Sequence, residues 1–205
     1  MSVDLAELVS PWRTAVVTSE MQNGVIGEQA ALPELAAVAR AGALPATVRL
    51  VEAARRAGVE VVHAVFERRP DGKGSNTNAR LFHAVAGREV KLAPGTPAVE
   101  VVPEIGVAPT DIVLRRRHGI GPMGGTDLDP VLRNLGVTTI VVAGVSVNVA
   151  VTNLVMDAVN LGYNVVLPRD AVCGVPADYA AAVIDNTLSL LATVTTVDEV
   201  VEVWK

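Results

Sequence analysis

The chain has 205 residues, 50% hydrophobic and 19% charged, which supplies enough apolar surface for one folded core over residues 1–205 and excludes intrinsic disorder. With 17 basic against 22 acidic residues the net charge is −5, which argues against nucleic acid or an anionic membrane as partner and for a small molecule. Aromatics make up only 3% and Cys173 is the single cysteine, so the core must use small and β-branched side chains, no internal disulfide forms, and a reducing, cytoplasmic setting is expected.

Taken in chain order, Met1 to Trp12 carries Asp4 and Glu7 without a basic start or a long apolar run, and so does not read as a secretory leader. A strand is expected over 13–19, followed by Glu20-Met21-Gln22-Asn23. A helix over 44–57, with Pro45 in its first turn, ends at Gly58 and passes into a strand over 58–66. The polar stretch from Arg68 to Asn78, with Pro70, Asp71-Gly72 and Gly74-Ser75, reads as a mobile loop. A third strand over 111–115 runs into Arg115-Arg116-Arg117-His118, where alternation places Arg115 and Arg117 on one face and Arg116 on the other.

Thr126 followed by Asp129 forms a short capping box for a helix over 126–135, which ends at Gly136 before a strand over 138–144. The stretch from Ile140 to Met156 is the most apolar of the chain. It is broken by Ser146, Asn148, Thr152 and Asn153, whereas a membrane span needs about 20 mostly apolar residues. A helix over 149–161 ends at Gly162 before a strand over 163–167. A helix over 177–191 and a strand over 193–196 complete the pattern. Helix alternating with Val/Ile strand, three times through a glycine, predicts an α/β fold: a three-layer α/β/α sandwich around a mostly parallel six-stranded sheet.

Ligands of such sheets bind beyond the carboxyl ends of the strands. Those ends hold Glu20 to Asn23, Arg68-Arg69, Arg115 to His118, and Ser146 to Ala150, so one carboxylate faces several guanidinium groups. Bidentate guanidinium groups match carboxylates, which favours an anionic substrate.

The strand-end acid with Met21-Gln22-Asn23, then Pro94-Gly95-Thr96-Pro97 leading to Val101-Val102-Pro103-Glu104, resembles the isochorismatase-like hydrolase superfamily. So do Gly125-Thr126-Asp127-Leu128-Asp129, Val142-Ala143-Gly144-Val145, and Asp157-Ala158 with Gly162-Tyr163, in that order over almost the whole chain. The resemblance implies a catalytic Asp, Lys and nucleophilic Cys in amide-cleaving members. In this chain the three slots hold Glu20, Arg117 or its neighbour Arg116, and Ala150.

Alanine offers no nucleophile and arginine keeps its proton, so thiol-based amidase chemistry is not expected. Glu20 keeps a titratable carboxyl, and the backbone amides of Val149 and Ala150 are candidates for an oxyanion pocket. Isochorismatases proper also lack the cysteine, and resemblance to them implies acid-base chemistry by a carboxyl group. Gln22, Arg116, His118, Ser146 and Asn148 are the candidate substrate-binding residues, with Ser146 and Asn148 equally suited to tying down the turn. Resemblance to oligomeric relatives also implies a homodimer or larger assembly.

The competing readings carry less. Cys173 suits a small buried residue, and His63 suits a packed, hydrogen-bonded imidazole. His118 is the candidate acid-base histidine, and His83 carries no signal. The three histidines show no metal-ligand spacing, so no metal and no cofactor is expected. Gly119-Ile120-Gly121-Pro122-Met123-Gly124 reads G-x-G-x-x-G, but the next strand ends Val142-Ala143-Gly144-Val145 without the acid that a nicotinamide dinucleotide site wants. That makes a loop bordering the pocket the better reading. The remaining alternative is a non-catalytic relative that binds a small ligand or serves as a structural subunit.

Overall fold

A computed structural model describes residues 4–205. Met1 to Val3, where the reading of the N-terminus begins, lie outside the described residues. After α1 (Leu5–Leu8) come β1 (Thr14–Ser19), α2 (Asn23–Ile26), α3 (Pro33–Val38), α4 (Leu44–Ala57), β2 (Glu60–Phe66), α5 (Arg80–Ala86) and β3 (Ile112–Arg116). The second half holds α6 (Leu128–Asn134), β4 (Thr139–Val145), α7 (Thr152–Asn160), β5 (Asn164–Pro168), β6 (Val172–Cys173), α8 (Ala177–Asn186), β7 (Thr193–Thr195) and α9 (Val197–Val203).

The strands form one sheet in the order β3-β2-β1-β4-β5-β7, and every ladder is parallel. All six expected strands are present. The two-residue β6, added beside the end of β4 through Gly144↔Val172 and Val145↔Cys173, makes a seventh.

Period-2 alternation along the strands makes the three layers. Val16, Val61, Val65 and Val141 pack on one side with Leu50, Val51 and Ala54 of α4 and Val197 and Val200 of α9. Ala15, Val17, Val62, Ile140 and Val142 pack on the other with Leu128 and Leu132 of α6, Leu154 and Val155 of α7, and Ala180 and Ile184 of α8. Val16, Val17, Val141 and Val142 are fully buried, and each such side chain stabilises the fold by about 1.5–3 kcal/mol.

Gly58, Gly136 and Gly162 have φ of 71°, 73° and 88°, the left-handed conformation expected where a helix turns into a strand. Gly144 has a different reason. Its φ is 112°, and a Cβ there would lie 2.2 Å from the Ser19 carbonyl oxygen, so β4 approaches β1 closely only because the side chain is missing.

Pro45 stands in the first turn of α4 as expected, and a π-helical turn, Ala39–Ala43, joins α4 to α3, so that residues 33–57 are continuously helical. The second helix-start reading needs correction, because Asp129 does not close a capping box. Thr126 Oγ1 does accept the Leu128 N–H at 3.1 Å, but the Asp129 carboxylate takes the Tyr163 hydroxyl at 2.9 Å and Arg133 at 2.9 Å. Among the described residues no helix is long and apolar enough to cross a membrane.

Candidate functional site

Strand order reverses between β1 and β4, and the carboxyl ends of these strands and of β2 and β3 open into a cavity of about 120 Å³. Glu20 follows β1 directly, and its N–H donates to the Ala64 carbonyl at 2.9 Å, carrying the ladder one residue further. Its φ of 55° makes it the one left-handed non-glycine residue among those described. A β-carbon is disfavoured in that conformation, and residues so held cluster at functional sites.

Arg116, the last residue of β3, meets the Glu20 carboxylate through Nη2, while its Nη1 donates to the carbonyls of His118 at 3.2 Å and Gly119 at 2.9 Å. Its guanidinium lies 4.7 Å from the centre of the Phe66 ring, and its buried Nε has no partner. The Arg116 side chain is 6% exposed and that of Glu20 is 20% exposed. Burial lifts the Glu20 carboxyl above the ordinary carboxylate value, while the charge and hydrogen bond of Arg116 pull it back only in part.

Ala150 reaches the same cavity from the π-helical turn Val147–Val151, which joins β4 to α7. The Ser146 carbonyl accepts from both Val149 N–H (3.1 Å) and Val151 N–H (3.0 Å), so the Val149 amide expected at an oxyanion pocket is already bound to the chain itself. The Val145–Ser146 peptide is cis, and Ser146 lines the cavity, as does His118.

The structure therefore brings Glu20, Arg116, Arg117, His118, Ser146 and Ala150 to one cavity, and places Gln22 and Asn148 elsewhere. Gln22 is fully buried. Its amide donates to the carbonyls of Phe66 (2.8 Å) and Ala98 (3.3 Å) and accepts from Phe66 N–H (2.7 Å), cross-linking the backbone beyond β1 and β2. Asn148 donates to the Val175 carbonyl (2.7 Å) and accepts from its N–H (3.1 Å), so of its two expected roles it ties down the turn.

Of the two arginines considered for the cation slot, it is Arg116 that meets Glu20. Arg117 is 60% exposed and its Nε donates to the buried Glu67 carboxylate at 2.7 Å. Arg115 Nη2 donates to both carboxylate oxygens of Glu100, at 3.0 and 3.1 Å. Strand alternation accounts for the division, since Arg116 alone of the three points towards the covered side.

Several lining residues escape a reading of the sequence. Leu81, Phe82 and Val85 of α5 form an apolar wall, and Arg68, which follows β2, stands at the cavity with them. The pattern Leu81-Phe82-x-x-Val85 is a helical apolar stripe, too short to stand out in an otherwise polar stretch.

His63 is fully buried, with Nδ1 2.8 Å from Thr18 Oγ1 and Nε2 3.3 Å from Asp111 Oδ2. Cys173 is half-buried, and burial pushes its thiol up to about 11. Gly119 and Ile120 of the glycine loop line the cavity, and Gly119 N–H donates to Asn76 Oδ1 at 2.8 Å. Among the described residues no three His, Cys, Asp or Glu side chains are grouped to hold a metal.

The isochorismatase domain family model matches residues 14–199. An uncharacterized isochorismatase family protein, YwoC of Bacillus subtilis, is 42% identical over 72 residues, which are 35% of this chain and 38% of that protein's length. Ureidoacrylate amidohydrolase RutB of Rhizobium rhizogenes is 29% identical over 93% of this chain and 83% of its own. A protein of Arabidopsis thaliana named a probable inactive nicotinamidase is 29% identical over 85% of this chain and 88% of its own. Among solved structures, a cysteine hydrolase from Pseudomonas syringae superposes with a TM-score of 0.84 at 27% identity, covering 96% of this chain and 94% of that one.

Proposed function

The chain belongs to the isochorismatase family, and from that premise we propose that it hydrolyses a small anionic substrate by carboxyl acid-base chemistry without a cysteine nucleophile. The observation that carries the reading is Glu20: a half-buried carboxyl with a raised pKa, held in a left-handed backbone conformation and lining the cavity. In its protonated form Glu20 donates to the leaving atom of the substrate. Water attacks the carbon thus activated, and the proton it releases returns to the Glu20 carboxylate.

Arg116 acts as a fixed cation. It stabilises the carboxylate that Glu20 becomes after donation and cannot itself take or give the proton. Ala150 occupies the slot that the resemblance gives to a nucleophile, and its methyl group leaves the attacking role to water. Ser146 and His118 border the reacting groups as candidate substrate contacts.

The test is a hydrolysis screen over carboxylate-bearing enol ethers, amides and lactams with wild type and Glu20→Gln side by side. Turnover in wild type that collapses in Glu20→Gln supports the reading. Turnover that survives in Glu20→Gln overturns it, as does loss to iodoacetamide in wild type but not in Cys173→Ser.

A second reading, a non-catalytic relative that binds a small ligand, is favoured by one observation: Arg116 already holds Glu20 in an ion pair. It expects binding without turnover in both proteins. The proposal also takes the protein to be cytoplasmic and to form a dimer or larger assembly, supported by its lone cysteine and by exposed Tyr179 and Leu190. Light scattering at the mass of one chain, 21.3 kDa, would speak against self-association.

A further inference from the structure

The charges lining the cavity are unequal, with four basic or acidic side chains of fixed role: Glu20 against Arg68, Arg116 and Arg117. Arg116 is held by Glu20 and Arg117 by Glu67. Among the described residues Arg68 has no acidic partner. The two acids nearest it in sequence are both engaged, Glu67 by Arg117 and Asp71 by Arg69 (3.0 and 2.7 Å) and the Lys73 N–H (3.1 Å).

The Arg68 backbone is fixed, its N–H donating to the Leu92 carbonyl at 2.6 Å, and its guanidinium rests on Gly72, where a Cβ would lie 2.7 Å from Nη2. An arginine half-buried at a cavity, with its backbone tied down and its charge uncompensated, suits an anion from outside the chain.

The wall beside it has the opposite character. No residue of α5 is buried, so this helix contributes nothing to either core. Its apolar residues Leu81, Phe82 and Val85 instead face the cavity, where they leave apolar surface for a ligand to cover.

We infer that the substrate is an amphipathic carboxylate: its carboxylate binds Arg68, its apolar body of several carbons lies along α5, and its reacting end meets Glu20 and Arg116. This rests on the hydrolase reading above and deepens it by naming the substrate class and the residue that selects it.

Binding of non-hydrolysable probes tests the inference apart from turnover. Calorimetric titration of the full chain with butyrate, hexanoate and octanoate at constant pH and salt is expected to show affinity rising about three- to fourfold per methylene. Hexanol is expected to bind at least about tenfold more weakly than hexanoate, and Arg68→Gln to bring hexanoate to the level of hexanol. Arg68→Lys should restore part of the loss. Arg115→Gln, whose arginine pairs with Glu100 outside this cavity, should bind hexanoate as wild type does.

Affinity flat from butyrate to octanoate, hexanol equal to hexanoate, an unchanged Arg68→Gln, or no alkanoate binding at millimolar concentration would each overturn the inference. Because alkanoates carry no scissile bond, failure of Glu20 chemistry leaves these results standing. Conversely, a flat alkanoate series leaves any dependence of turnover on Glu20 untouched.

Discussion

Glu20 and Asp111 are both carboxylates held against an arginine at the ends of strands, and they differ in nearly everything else. Asp111 is 1% exposed and lies just before β3, where Arg55 (2.5 Å), the Ala108 N–H (2.7 Å) and His63 (3.3 Å) converge on it. Burial pushes its carboxyl up, but these partners outweigh burial and hold it below the ordinary value. Arg55 also donates to the carbonyls of Ile105 and Gly106, so the network ties α4 to the approach to β3 and stands apart from the cavity that Glu20 lines. Glu20 has one cationic partner, a strained backbone and a cavity in front of it, and its carboxyl is raised. A buried acid satisfied on every side serves the fold, and one left partly unsatisfied at an opening is available for chemistry.

The largest effect that would sharpen this contrast is kinetic. Glu20→Gln keeps the size and hydrogen bonding of the side chain but removes proton transfer, and is expected to lower turnover roughly 100- to 10,000-fold. Circular dichroism spectra of the two proteins should coincide. A loss confined to KM, with kcat intact, would move Glu20 from the chemistry to binding alone.

Asp111→Asn should do the reverse. Leaving Arg55 without its buried counter-charge is expected to cost about 3 kcal/mol of stability in denaturant unfolding, with turnover per folded molecule unchanged. Comparable kinetic losses in both variants would erase the distinction between the two carboxylates.

The two sites should also bend the stability profile in opposite senses. Glu20 has a raised folded pKa, so the stability it contributes is present below the ordinary value of 4.5 and lost as pH rises through the folded value. Burial lowers His63 below its ordinary 6.5 despite the hydrogen bond and charge of Asp111, so the unfolded chain takes up that proton first and stability falls as pH drops below 6.5. Asp111 adds a further loss below 3.8. Urea titrations from pH 4 to 8 should show Glu20→Gln removing the loss above 4.5 and His63→Gln removing the loss below 6.5. Equal slopes in wild type and both variants would contradict these assignments.

The smallest expected effect belongs to Cys173. With its thiol pushed up to about 11 it is almost wholly protonated near neutrality, and Cys173→Ser should change turnover less than about twofold. A larger loss in steady-state assays would return the thiol to the mechanism.

Much of the frame was legible because its signals are local. A glycine that must be left-handed marks the ends of helices at Gly58, Gly136 and Gly162, and the Val/Ile runs after them admit little but buried strands. The acid after β1 was likewise findable, since strand ends locate the site, and the alanine after β4 because the family resemblance gives its position to the nucleophile. The partners of long-range groups were not. Nothing within a few residues of Gln22 says that its amide will bridge to Phe66 and Ala98, 44 and 76 positions away, and the same holds for Asn148 and Val175. The choice between Arg116 and Arg117 turns on which face of β3 the rest of the chain covers, which alternation alone does not say. α5 escaped because its stripe faces a cavity instead of a core, and α9 although Thr196 and Glu199 form a full capping box that the spacing could have announced.

The turn Val147–Val151 closes through a bond from Val151 to Ser146, five residues back, and so holds one residue more than an ordinary helical turn. That surplus makes the segment a phase adjuster between two surfaces. Deleting one residue within it would return the chain to ordinary helical winding, with Leu154, Val155 and Ala158 still facing the sheet, while a neighbour of Ala150 came to face the cavity. A change of length alone, with no substitution, could thus re-index the reactive end of the molecule and leave its interior in step.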